Sequence, residues 1–244
     1  MRASKPLTIA CIAMGLVALL AVKSETLNAE AGASSQQPSP QATPTPPTQQ
    51  HSAVDATSKW PKLNVYVCWE NPAPTYKQGM ELVEKSVAAS WEAASALRFT
   101  GWQKCDQENK GIRILIDDSG PHTKGLGRYL DGQPAGMVLN FTFNNWSPEC
   151  KQEWALCVKS IAVHEFGHAI GFVHEHNRAD KPGECREAPQ GSNPTDLLTP
   201  YDPESVMNYC NKKYNNNGVL SKYDIEGVSN FYGPPPTNRA RSRR

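Results

Sequence analysis

The run His164-Glu165-Phe166-Gly167-His168-Ala169-Ile170-Gly171-Phe172-Val173-His174 constrains this chain more than any other part of it. Residues 158–170 are apolar at helical spacing, so His164 and His168, four apart, project from one face of one helix a turn from each other. Gly171 can take positive φ and stop that helix, which lets the chain turn so that His174 approaches the same point from outside. Three neutral ring nitrogens at roughly 2.0–2.1 Å suit Zn2+ and leave a fourth, open position of the kind that catalytic sites keep. Glu165 follows the first histidine directly, so its carboxylate can reach a water in that position without being a ligand; it is the candidate general base. A bare H-E-x-x-H arises often by chance, and the added G-x-x-H makes the segment specific. A purely structural metal site would not need the glutamate.

A second element follows about 30 residues on: Ser205-Val206-Met207-Asn208-Tyr209, preceded by Tyr201-Asp202-Pro203-Glu204. Met207 in a tight turn beneath three imidazoles offers a soft apolar floor, and Tyr209 can swing its phenol to a metal or to a developing oxyanion.

Around these motifs the chain divides by composition. Residues 1–31 carry Arg2 and Lys5, an apolar run over 6–22 and an Ala29-Glu30-Ala31 cleavage pattern, and read as a signal peptide, with an uncleaved anchor as the alternative. No later stretch is long and apolar enough to cross a membrane. Residues 32–58 are rich in Pro, Ser, Thr and Gln and read as a linker; an inhibitory propeptide is the alternative, although only Asp55 is an acidic candidate and no cysteine is present. The ordered domain is expected over 59–233 and a basic, frayed tail over 234–244. Lys and Arg total 25 against 24 Asp and Glu, a net charge of +1, which excludes a general grip on nucleic acid.

Of seven cysteines, Cys11 lies in the leader, which leaves an even set suited to an oxidising compartment. Sequence alone does not choose among the connectivities; pairing near neighbours gives Cys150 with Cys157, Cys185 with Cys210, and Cys68 with Cys105. Within the domain, residues 63–69 alternate as a half-buried strand, 76–97 carry an amphipathic helical pattern, and 98–102, 112–116 and 137–143 read as strands, with a glycine-rich loop at 125–136.

HEFGHAIGFVHEHNRAD, SVMNY, LSKYDIEGVSNFYG and the opening KWPKLNVYV together resemble the metzincin clan of zinc endopeptidases, most like the astacin family, with a matrixin-like placement as the alternative. Asn208 stands where astacins usually have histidine. The resemblance implies an α/β (α+β) fold: a mixed twisted sheet, two long helices of which the second carries the zinc motif, and a mostly irregular C-terminal subdomain with a closing helix. It implies His164, His168 and His174 as metal ligands, Zn2+ as cofactor, Glu165 as base and acid, and Tyr209 as an extra ligand and transition-state stabiliser. It implies further that substrate lies along an edge strand, expected at residues 135–141. In astacins the carboxylate matching Glu175 pairs with a newly cut N-terminus; no processing site is evident over 55–59.

The function expected is that of a secreted or periplasmic zinc metalloendopeptidase, monomeric, acting on protein or peptide substrates without nucleic-acid or membrane partners once the leader is cut. Two other readings stand beside it: a zinc-stabilised binding or adhesion module without turnover, and a hydrolase of a non-peptide amide. Asn140-Phe141-Thr142 and Asn145-Trp146-Ser147 match the N-glycosylation triplet.

Overall fold

The structure, a computed structural model, describes residues 52–108 and 110–236; the expected leader, the linker up to residue 51 and the tail from 237 lie outside the described residues. The ordered chain begins earlier than composition implies. Within the stretch expected to be linker, β1 (Ser52–Val54) pairs antiparallel with a strand at residues 196–198, and a 3-10 turn (Ala56–Ser58) follows. The reason is backbone pairing plus burial of Ala53, Val54 and Ser58, and neither leaves a periodic signature in so short a run.

Val65, Val67 and Trp69 recur at every second position and are all buried along β2 (Asn64–Trp69), which makes this strand central. Its neighbours β3 (Arg98–Lys104) and β4 (Ile112–Ile116) both run parallel to it. Beyond β4 the sheet continues through β6 (Met137–Leu139), parallel, to β5 (His122–Thr123), antiparallel at the edge, in the order β3-β2-β4-β6-β5. The expected edge strand is therefore corrected. Residues 137–139 are paired on both sides and buried, and the open edge belongs to β5, whose two residues are too few to show a strand pattern.

The helix expected over 76–97 is broken into α1 (Lys77–Val87) and a π-helical turn (Ala88–Glu92). Ser86 and Ser90 each donate a hydroxyl to the carbonyl four residues back, competing with the regular ladder where it widens. The turn seats Trp91, fully buried, so that its Nε1 donates to Val163 O at 2.8 Å in α2 (Trp154–Ala169). From α2, Phe166 meets Phe99 of β3 edge-on at 5.1 Å and stacks on Trp102 at 5.7 Å, joining helix to sheet.

After α2 the chain is mostly irregular, with β7 (Asp196–Leu198) and the closing α3 (Lys222–Tyr232). Ser221 and Asp224 form a reciprocal capping box at the start of α3. All three expected disulfides are formed: Cys68–Cys105, Cys150–Cys157 and Cys185–Cys210. No helix among the described residues is long and apolar enough to cross a membrane.

Candidate active site

The sequence places two histidines on α2 and brings the third back by a turn whose hydrogen bonds are those of a Schellman motif. Gly171 has φ +96°, its N–H donates to His168 O at 2.9 Å, and Phe172 N–H donates to Gly167 O at 2.9 Å. β1 pins this turn from outside, through Asp55 N–H to Gly171 O and Val173 N–H to Ala53 O. A side chain at 171 would meet Ser58 Oγ at 2.7 Å, so glycine is required by space as well as by conformation.

The turn delivers His174 to the other two. Its Nε2 lies 3.2 Å from His168 Nε2 and 3.3 Å from His164 Nε2. Two nitrogens each at roughly 2.0–2.1 Å from a common ion, at a tetrahedral angle, lie about 3.3–3.4 Å apart, so the spacing suits zinc. The other ring nitrogens set the tautomers. His164 Nδ1 donates to Val206 O (2.7 Å), His168 Nδ1 to Phe172 O (2.9 Å) and His174 Nδ1 to Gln190 O (2.9 Å), which leaves three Nε2 lone pairs facing one another. Lone pairs so arranged repel unless a cation lies between them. Burial, and then the neighbouring histidines, push His164 down to about 3 and His168 well below its usual value, and burial lowers His174, so all three rings are neutral at neutral pH, the form a metal site needs. Among the described residues this trio is the one group of histidine, cysteine or carboxylate ligands close enough to hold a metal.

Glu165 is buried beside them, and its Oε2 has no hydrogen-bond partner in the protein. Burial alone pushes its carboxyl up to about 8. Tyr209 lies over the cluster, its ring 5.5 Å from that of His164 and 4.6 Å from that of His174, and burial followed by the Glu165 charge raises its phenol to about 12. Met207 forms the floor. Its Sδ would lie 2.4 Å from a Cβ at Gly167, so the helix presents a glycine where the methionine packs. Met207 O accepts the Glu175 N–H, tying the methionine turn to the residue after the third histidine.

The cleft over this group measures about 370 Å3 and is lined by Glu165, His168, His174 and Tyr209 on one side and by His122 and Thr123 of β5 on the other. Every site residue expected from sequence thus comes together. Glu175 is buried, accepts the Asp202 N–H at 2.8 Å and lies 3.3 Å from Arg178, which forks onto Asp180; its cationic partner in this structure comes from within the domain. Sequence reasoning passed over His176, fully buried, which stacks on His174 and Tyr209 at 4.8 Å and accepts the Tyr209 N–H. It also missed Val206, Phe172 and Gln190, because a carbonyl acceptor leaves no trace in side-chain identity. Asn140 of the first glycosylation triplet is buried, with its amide donated to Asp118 and Ser119.

Residues 146–184 match the family model named Astacin, which describes a peptidase family. The chain is 33% identical over 99 residues to bone morphogenetic protein 1 of Xenopus laevis, covering 33% of this chain and 13% of that protein. It is 26% identical over 175 residues to zinc metalloproteinase nas-25 of Caenorhabditis elegans, covering 66% of this chain and 39% of that one. The chain thus spans well under half the length of either relative. Its fold is similar to that of myroilysin, with a TM-score of 0.51 at 18% identity over 76% of this chain and all of that one. With its mixed α/β fold and three-histidine cluster, the chain is most like the astacin family of metzincin zinc endopeptidases.

Proposed function

We propose that this chain is a secreted zinc metalloendopeptidase that hydrolyses peptide bonds of extended protein substrates. The observation that carries the reading is the convergence of three imidazole lone pairs beside a buried carboxylate that lines the same cleft and has one oxygen without a hydrogen-bond partner. Zinc held by His164, His168 and His174 would supply the positive charge that keeps Glu165 ionised, polarises the scissile carbonyl and acidifies the attacking water.

The remaining work falls to the chain's own side chains. Glu165 accepts a proton from water as the oxygen bonds to the carbonyl carbon, then passes it to the amine nitrogen as the C–N bond breaks. The Tyr209 phenol donates to the oxyanion formed between those steps. The outer edge of β5 lies beside the cleft, so an extended peptide can add there as a further strand, with affinity from main-chain hydrogen bonds and little demand on sequence. Three disulfides support an extracellular or periplasmic site of action.

The test is Glu165→Gln assayed on denatured casein or gelatin, with zinc content measured in parallel. Cleavage by the wild type, lost on chelation and reduced about 10²–10⁴-fold in the variant at unchanged zinc content, is the expected result. A wild type that holds zinc and cleaves no protein substrate overturns the reading in favour of a binding module or a hydrolase of another amide.

A further inference from the structure

Asp224 is buried among polar groups and does not line the cleft, and no catalytic step uses it. Its Oδ2 accepts the Ser221 N–H at 2.9 Å and the Val206 N–H at 3.0 Å, which caps α3 and holds the methionine turn. Its Oδ1 is engaged otherwise: it accepts the Ser205 hydroxyl at 2.7 Å. With its proton directed there, Ser205 Oγ is left as an acceptor, and it takes the Met207 N–H at 3.0 Å. The carbonyl at the other end of that same peptide group is Val206 O, which receives His164 Nδ1–H at 2.7 Å. A carboxylate, a hydroxyl, a peptide group and an imidazole therefore stand in one unbroken line of hydrogen bonds, all of it buried.

We propose that Asp224 and Ser205 are positioning residues for His164, acting on its ring through the peptide between Val206 and Met207. The proposal rests on the reading of His164 as a metal ligand. Each link polarises the next: the anion draws the serine proton, the serine oxygen draws the amide proton, and the carbonyl becomes a stronger acceptor for the imidazole N–H. A stronger acceptor at Nδ1 fixes the tautomer and makes Nε2 the better donor to a cation. Burial pushes Asp224 up to about 6, so it is an anion at neutral pH. The acceptor of His168 is backed differently: beyond Phe172 O, the N–H of the same peptide, that of Val173, meets only the neutral Ala53 carbonyl.

The experiment compares Ser205→Ala and Asp224→Asn with Ser221→Ala, which weakens the same cap but leaves the line to His164 intact. Zinc affinity is measured by competition with a chelating dye, and the His164 Nδ1–H proton is followed by NMR in the metal-free proteins. The expected result is affinity about tenfold weaker in Ser205→Ala and Asp224→Asn, within about twofold of wild type in Ser221→Ala, and an upfield shift of the imidazole proton only in the first two. If Ser205→Ala does not fold, Asp224→Asn, which keeps the side chain's size, carries the same comparison. Unchanged affinity and an unshifted proton, or equal weakening in Ser221→Ala, overturns the proposal. A wild type that binds no zinc overturns the metal reading itself, and that failure is recognised because it precedes any variant.

Discussion

The two sides of Gly171 are held together by different physics. Before it, sheet and helices bury Val65, Val67, Trp91, Ile112, Ile114 and Phe166 against one another, and the interior is apolar. After it the chain has little regular structure, and its buried groups include Glu175, His176, Arg178, Asp202, Ser205, Asn208 and Asp224, each fixed by particular partners. Apolar burial tolerates small shifts of position, whereas a buried carboxylate or guanidinium is stable only where its donors and acceptors meet it. The first part is thus a platform carrying two histidines and Glu165, and the second a polar clamp that brings in the third histidine, the methionine floor and Tyr209.

The sharpest way to break the platform is Phe166→Ala, which removes the ring that meets both Phe99 and Trp102. A loss of about 3–5 kcal/mol is expected from denaturant titration. A loss below about 1 kcal/mol would mean that the apolar side does not carry the fold. Tyr209→Phe tests the opposite property of the clamp. Because the ring is 40% exposed, unfolding stability is expected to stay within about 0.5 kcal/mol of wild type. Steady-state kinetics should meanwhile give kcat/KM about 10²–10³-fold lower.

One carboxylate from each part responds to acidity with opposite sign. In the platform, burial acts to raise Glu70, but the Ala135 N–H and the Arg113 guanidinium outweigh it and hold the carboxyl below 4.5. Its contribution is present above pH 4.5 and is lost as pH falls through its lower folded value. In the clamp, burial raises Asp224 to about 6 from 3.8, so the folded state holds that proton more tightly. Stability from Asp224 therefore falls as pH rises between those values, by up to about 3 kcal/mol, and is recovered on acidification. Unfolding free energies of wild type and Asp224→Asn at pH 4 and pH 7 isolate the second effect: the wild type should lose more stability on going to pH 7 than the variant does. An equal change in wild type and variant would sink that assignment to Asp224. The smallest effect is that of Ser221→Ala, about 1 kcal/mol from the lost α3 cap, with the sheet's hydrogen exchange unaltered.

Legibility in the sequence follows the same division. The platform announces itself through periodicity: every second residue in β2, and His164 and His168 a turn apart on α2. The stop at Gly171 and the near-neighbour disulfides were also readable, since glycine and cysteine have narrow structural uses. Three features were not. Ser52–Val54 looks like spacer because its partner lies far along the chain at Asp196–Leu198. The edge strand β5 is two residues long. The polar clamp is written in Asp, Ser and Asn, residue types that in a loop look like solvent-facing turns until their partners are seen, and Asp202, Ser205 and Asp224 are all buried.

Each imidazole of the three-histidine cluster is oriented by a main-chain oxygen, at Val206, Phe172 and Gln190. An oxygen of that kind survives any substitution at its own position, so the identities of those three residues can drift over evolutionary time while the geometry they impose persists. Heritable damage to the ring orientation comes instead from changes that move whole segments or that alter the side chains backing those oxygens, such as Ser205 and Asp224. The most fragile spots in the gene are therefore the codons for turns and anchors rather than for the residues that do the orienting.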